Sequence, residues 1–351
     1  MRRILLLLFL LPVSIRPAAA QAPAPSRTPE PPLRRWFEFQ QFALGTRYRY
    51  IQNSADTVTF DHMQYRDQIR GRVNLDAKKH YTINAGFFSG TTFISSWDNL
   101  GPGNTTFDGK DHFFKQLFVS ATPVPGIEGQ FGGLYVVKGE STEYTSYDDD
   151  GYLVGWRASV RRPQQVHLDE ISVTSGHLGP ASQPNLRDRW GTLDRPNYTQ
   201  VLVGKRVSQS LSASADYTHF DHADTLRAGA ILRFTPKAPV SSIRYEQYVR
   251  TSGPHPAAGF SVTAERAVTK WVRLQGGYTT IDQHYGGLNA DRIQRGRRFF
   301  VLANVPIWGP LSAQVFATQA LRAPYAISND TRFDTIVTWD VLNSLRKTGV
   351  F

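Results

Sequence analysis

Cysteine is absent from this 351-residue chain, which excludes disulfides, thiolate metal sites and cysteine nucleophiles. Methionine is nearly absent, with 2 in all. After residue 20, no apolar run reaches the ~20 residues that a membrane-spanning helix needs. Acidic groups are the minority: 29 Asp and Glu stand against 40 Lys and Arg, for a formal net charge of +11. That balance favours anionic partners. A chain without disulfide staples must take its order from elsewhere, and a closed sheet with no unpaired edge is one source. Aromatic side chains, by contrast, are plentiful, with 15 Tyr, 21 Phe and 7 Trp.

The N-terminus has the layout of a signal peptide over residues 1–20. Arg2 and Arg3 precede the apolar run Ile4 to Leu11, and Ala18-Ala19-Ala20 offers a small-residue cleavage site before Gln21. The run is too short to cross a bilayer. Export shifts the expected partners of a basic chain from nucleic acid to anionic solutes, lipopolysaccharide or polysaccharide. Residues 21–35 are Pro/Ala-rich (QAPAPSRTPEPP) and read as a periplasmic lead-in without regular structure. Residues 36–351 then form one uniform domain.

Within that domain the dominant period is two, the mark of strands with one apolar and one polar face. Met63, Tyr65, Ile69, Val73 and Leu75 oppose Gln64, Arg66, Gln68, Arg70, Arg72 and Asn74. Phe42, Leu44, Tyr48 and Tyr50 oppose Gln41, Arg47 and Arg49. Tyr152, Val154, Trp156, Ala158 and Val160 oppose Arg157, Ser159 and Arg161, and Leu226 to Phe234 repeat the pattern against Arg227 and Arg233. About sixteen such runs are present, most of them ten to twelve residues long, as tilted membrane strands require. They fall near 39–51, 62–76, 81–91, 113–122, 127–138, 152–162, 166–177, 198–207, 211–220, 225–235, 242–251, 259–267, 270–281, 297–306, 311–320 and 332–342. Short connections alternate with long ones, except at Gln52–Thr59 and Asp221–Asp224. The expected fold is all-β: a transmembrane antiparallel up-and-down barrel of about sixteen strands (14–18), with long external loops and short periplasmic turns.

A soluble sandwich or propeller also alternates, and parity alone does not say which face meets water. Strand length, the N-terminal segment and aromatic residues near run ends favour the membrane. Those aromatics are Tyr81, Phe113, Phe114, Tyr135, Tyr152, Tyr198, Trp271, Phe299 and Phe300, read as girdles. The C-terminal Phe351 resembles the assembly signal of outer-membrane barrels, although residues 344–350 match that signal poorly.

The pattern as a whole resembles outer-membrane porins. Its arginine-rich inner parity resembles the alginate-export and anion-selective porin group. The resemblance implies passive transport through the bacterial outer membrane, recognition by the barrel-assembly machinery, and no bound cofactor, metal or catalytic residue. A charge on the lipid face costs roughly 2–4 kcal/mol near the midplane, so mid-strand arginines should point inward. Arg47, Arg49, Arg66, Arg70, Arg72, Arg157, Arg227, Arg233, Arg244 and Arg273 are therefore the candidate solute-binding residues, suited to carboxylate and phosphate. The bland alternative pairs them with Asp67, Glu128, Asp216 and Glu246, so that they only brace a non-transporting barrel with an occluded lumen.

Other candidates are weaker. Gly139 to Glu143 and Tyr147 to Gly151 form the most acidic stretch, read first as a solvated external turn, with an inward-folded constriction or a calcium loop as alternatives. Phe60-Asp61-His62 and Phe220-Asp221-His222 echo each other and carry an Asp–His pair, but no nucleophile stands at an interpretable spacing. His112, His167, His177 and His284 are scattered singly. The basic segment Asp291–Arg298, with Arg292, Arg295, Arg297 and Arg298, reads equally as a rim that attracts anions or lipopolysaccharide phosphates and as a basic rim without a ligand.

Overall fold

A computed structural model describes residues 36–90, 95, 97–100, 112–145, 152–161, 168–179, 183, 185–253, 255–285, 293–322 and 329–348. The signal peptide and lead-in read in the sequence lie outside these residues, as do Tyr147 to Gly151, His167, Asp291, Arg292 and Phe351.

The chain runs β1 (Phe37–Asn53), β2 (Val58–Asn74), β3 (Tyr81–Ser89), β4 (Asp98–Leu100), β5 (His112–Val124), β6 (Ile127–Tyr135), β7 (Tyr152–Arg161), β8 (Glu170–His177) and the helical turn α1 (Leu186–Arg189). It continues through β9 (Tyr198–Arg206), β10 (Leu211–Phe220), β11 (Ala223–Arg233), β12 (Ser242–Arg250), β13 (Ala257–Ala267) and β14 (Arg273–Ile281). The last elements are β15 (Gly296–Trp308), β16 (Leu311–Arg322), β17 (Asn329–Asp340) and helix α2 (Val341–Lys347). Each of the sixteen runs expected from periodicity coincides with one strand. β4 was not among them, because three residues carry no period.

Every strand pairs antiparallel with its neighbour in the chain, apart from the β4 detour, and β1 closes the ring by pairing with both β2 and β17. The result is a closed 16-strand up-and-down barrel. β4 takes up Met63 to Tyr65 of β2, beyond the Gln68–Asn74 stretch that the 9-residue β3 covers.

The two faces are inverted relative to a water-soluble protein. Val301 is 54% exposed on the outer wall while its neighbour Leu302, facing the interior, is 6% exposed. Leu44, Met63, Val119, Phe131, Trp156, Leu226, Tyr245 and Phe333 are likewise exposed outside, whereas Gln64, Gln68, Ser120, Ser172, Thr218 and Asp334 are buried within. This removes the sandwich alternative: an antiparallel sheet facing water would keep its apolar side inward.

The two ends differ. At one, β5–β6, β9–β10 and β15–β16 join by tight turns, and Trp271, Trp308 and Trp339 stand exposed, Trp308 at 81%. Of the aromatics read as girdles, Tyr81, Phe114, Trp271 and Phe299 do lie exposed on the outer face. Tyr152, Tyr198 and Phe300 do not. They are buried in two apolar clusters in the long-loop half, where inward positions and incoming loops meet. Parity was sound there, but proximity to a strand end does not tell an outward ring from one covered by a loop.

The two short connections at the long-loop end are true hairpins. Asp56, Asp221 and His222 take φ values of 56°, 47° and 67°, the left-handed conformation that Asp and His tolerate better than most side chains. After β17 the chain does not extend the strand to 342 as expected. The Asp340 carboxylate accepts the backbone N–H of Asn343 at 2.9 Å and caps α2. Val341 and Leu342 are therefore helical.

Candidate functional site

The interior wall is built of opposed charges set by register. Asp216 lies directly across from Arg227, Asp334 from Arg49, and Glu38 from Arg72. Cross-strand opposition brings such pairs within contact distance. Arg227 donates to the Asp216 carboxylate at 2.7 and 3.0 Å, with the two side chains 1% and 0% exposed, and its Nη1 donates to Tyr285 Oη at 2.8 Å. Arg49 makes a two-pronged contact with Asp334 at 2.9 and 3.1 Å, and Arg332 shares the same carboxylate.

Loops enter this interior. Trp97, from the β3–β5 connection, lies between two guanidinium groups: Arg47 sits 4.2 Å and Arg66 4.4 Å from its ring, both within cation–π range. Gly45 lies beneath the pair on the wall: a Cβ there would stand 3.2 Å from Arg66 Cγ and touch the indole at 3.4 Å. Arg47 also donates to Gln64 Oε1 at 2.7 Å.

The β6–β7 connection enters more deeply. Val137 O accepts from Gln200, and Ser141 donates to Gly229 O at 2.7 Å. A Cβ at Gly229 would fall 2.2 Å from Ser141 O, so the close approach requires glycine. Glu140 pairs with Arg233, and Glu143 with Arg244. The Glu246 carboxylate accepts the N–H groups of Tyr144 and Thr145 and the Thr145 hydroxyl, all within 3.0 Å. Tyr285, in the β14–β15 connection, donates to Thr145 O and packs against Tyr248, the rings tilted by 31° with centroids 3.7 Å apart. Burial raises the Tyr285 phenol above its ordinary value, so it stays a donor. The first half of the acidic stretch is thus no solvated turn: its two glutamates meet wall arginines inside the barrel.

The remaining candidate arginines fall in three settings. Arg157 is buried, donating to Thr174 Oγ1 and Gln130 Oε1 at 3.0 Å each. Arg70 stacks 5.0 Å from the Phe88 ring, and its Nε has no hydrogen-bond partner. Arg273 lies at the short-turn end, 64% exposed, with Glu265 at 3.4 Å. Of the acids proposed as braces, Asp216 pairs with arginine, Glu246 holds loop amides, Glu128 reaches Arg161 at 3.4 Å, and Asp67 contacts His112 instead.

Sequence reading missed Arg332, although it shares the parity of Asp334, and it missed Trp97 and Arg189. These last two lie in connections, where no period marks direction. Arg189 donates to Tyr152 O at 2.9 Å, and burial lowers its guanidinium to about 10. Arg298, read as part of a basic rim, points inward and donates to Arg295 O at 2.8 Å, while Arg297 remains exposed outside. Asp61 accepts from Tyr48 Oη at 2.8 Å, and Asp221 and His222 are turn residues, so the repeated Asp–His motif builds no dyad with its own neighbour. Among the described residues, no group of three or more His, Cys, Asp or Glu could hold a metal ion.

No family model matches the sequence, and no curated protein matches it. Solved structures match its fold. A five-substitution variant of Rh. blastica porin superposes with a TM-score of 0.56 at 10% identity, covering 86% of this chain and 100% of that one. Salmonella typhi OmpF, in complex with daunomycin, gives 0.57 at 10% identity over 86% and 97%. The chain has the fold of these porins.

Proposed function

We propose that this chain is a porin-like channel of the bacterial outer membrane that passes small polar or anionic solutes by passive diffusion, with no enzymatic activity. The observation that carries the reading is the inverted barrel, with an apolar outer wall and a polar, arginine-bearing interior entered by loops. An apolar outer belt needs lipid around it, and a barrel of this strand number encloses space for water unless loops fill it. Residues 1–20 would direct export, the long loops would face outward, and exposed Arg297 would meet lipopolysaccharide phosphates. The assembly machinery of the outer membrane would insert the chain.

Anion preference is the finer part of the proposal. On β17, β1 and β2 the inward positions carry Arg332, Arg49, Arg47, Arg66, Arg70 and Arg72 against Asp330, Asp334 and Glu38. On β11 and β12, by contrast, the loop brings Glu140 and Glu143 to Arg233 and Arg244. The solute path would therefore run along the arginine-rich side.

Single-channel conductance of the refolded protein, with reversal potentials in a salt gradient, tests both parts. Absence of conductance removes the channel. Cation preference removes the arginine argument and leaves the barrel. The two apolar clusters inside the long-loop half favour a second reading, a structural or attachment barrel with an occluded lumen, and zero conductance is its signature.

A further inference from the structure

Beneath the inward loop, towards the short-turn end, the wall of β7–β10 leaves a cavity of about 290 Å³. That is smaller than the ~300–1,000 Å³ of sites for drug-sized ligands. Glu140 lines it from the loop, Asp169 from the β7–β8 connection, and Arg161, Glu170, Leu202, Lys205 and Arg206 from the strands. Register explains why both signs of charge meet here: Arg161 lies opposite Glu170, and Glu170 opposite Gly204, two residues from Arg206. Gly204 keeps the space open. A Cβ at that position would stand 3.8 Å from Glu170 Cβ and 3.9 Å from Ser214 Oγ, in ordinary contact with both.

The charges are not consumed by one another. Arg161 reaches Glu128 at 3.4 Å, at the limit of a hydrogen bond. Among the described residues, neither the Glu170 carboxylate nor the Arg206 guanidinium makes a hydrogen bond. Glu140 is held by Arg233.

We propose that this cavity is a holding site for small zwitterions, molecules that carry an ammonium and a carboxylate on a short skeleton, as amino acids do. Arg161 and Arg206 offer N–H donors to the carboxylate, and Arg can take it in a two-pronged geometry. Glu170 accepts the ammonium, and Leu202 gives an apolar patch to a short side chain. A simple anion would leave the acidic side of the cavity without a counter-charge, and a simple cation would leave the arginines without one. The proposal rests on the channel reading in that the solute reaches the cavity through the lumen.

The test is the current through single channels in potassium chloride as L-alanine is added, with glycerol and acetate as comparisons. Alanine is expected to reduce the current in a saturable way, and glycerol and acetate at equal concentration are not. Glu170→Gln and Arg206→Gln should each raise the half-saturating concentration by at least about tenfold, the loss of one charge-assisted hydrogen bond. Gly204→Val, which adds apolar bulk beside Glu170 and Ser214, should weaken the effect. The site is overturned if glycerol or acetate acts as alanine does, or if all three variants respond like the parent protein. If the protein passes no current at all, binding of labelled alanine to the micelle-refolded protein by NMR still decides. Saturable binding lost in Glu170→Gln keeps the site while the channel reading fails, and no saturable binding overturns it.

Discussion

Glu246 on the barrel wall takes the backbone N–H of Tyr144 on both of its carboxylate oxygens, at 3.0 and 2.9 Å. The two residues are 102 positions apart in sequence, and the contact fixes where the β6–β7 connection crosses the interior. Glu246→Gln keeps one acceptor and loses the charge. Glu246→Ala leaves two amides and a hydroxyl without partners, a loss of about 1–3 kcal/mol for each buried group. The alanine variant is expected to release the segment, seen as larger and noisier single-channel current. Gly229→Val should act in the same direction by collision with Ser141. An unaltered current trace in both variants would mean that the segment does not narrow the path.

Arg227 and Asp216 form the most enclosed ion pair on the wall. Removing one partner of such a pair leaves a buried charge, with a cost of about 3–5 kcal/mol, whereas replacing both with apolar groups of like volume is close to neutral. Asp216→Asn should therefore lower the urea midpoint of the refolded barrel sharply. The double variant Asp216→Leu/Arg227→Met should recover most of that loss. A double variant that is less stable than either single one would contradict the pairing.

Strand positions were legible because a barrel wall has an apolar outer face and a polar inner one, so the period of two runs along each strand and is broken only at bulges such as Phe39–Gln41 and Gly86–Phe87. Leu226 to Phe234 show it, and their arginines face inward with the parity expected. Connections were not legible. The glutamates at 140 and 143 have no period, and nothing local distinguishes a loop that bends into the lumen from one that stands in water. Their partners Arg233 and Arg244 are about 100 residues away, and only barrel closure brings them together. Arg298 stands both at the start of the 297–306 run and at the end of the basic segment, and its buried, inward position in β15 decides between the two.

The outer wall offers a direct contrast between neighbours. Val301→Arg would put a charge on the lipid-facing side and should lower stability by about 2–4 kcal/mol at mid-membrane depth, measured by reversible folding into lipid vesicles. Val301→Leu, which keeps an apolar group there, should change it by well under 1 kcal/mol. Equal effects of the two would argue against the assignment of Val301 to the lipid face.

In the turn between β2 and β3, the Asp76 carboxylate accepts the backbone N–H groups of Tyr81 at 2.9 Å and Lys78 at 3.2 Å. The Tyr81 bond above all holds its pKa below the ordinary aspartate value. A depressed folded value means that the carboxylate stabilises the turn at pH above the unfolded value near ~4, and that this is lost as pH falls through the lower folded value. Asp76→Asn should therefore lower the melting temperature at pH 7, and the difference from the parent should vanish in strong acid. A difference that persists below pH ~2 would point to lost hydrogen-bond geometry, with charge playing no part.

Arg70 is the sharpest test of anion preference. Its guanidinium stacks on Phe88 and has no carboxylate partner among the described residues, whereas Arg72 beside it is matched by Glu38. A unit charge a few ångströms from a passing ion contributes about 1 kcal/mol in water, less as salt screens it. Arg70→Gln is expected to reduce the anion-to-cation permeability ratio by a factor of about five at low salt and by less at high salt. Arg72→Gln should lower the ratio at least as far, because it leaves the negative Glu38 charge without its partner. Glu38→Gln together with Arg72→Gln should restore the parental ratio. If Arg70→Gln leaves the reversal potential where it was, the path runs elsewhere in the lumen, and the arginines on this wall brace the barrel without selecting its solute.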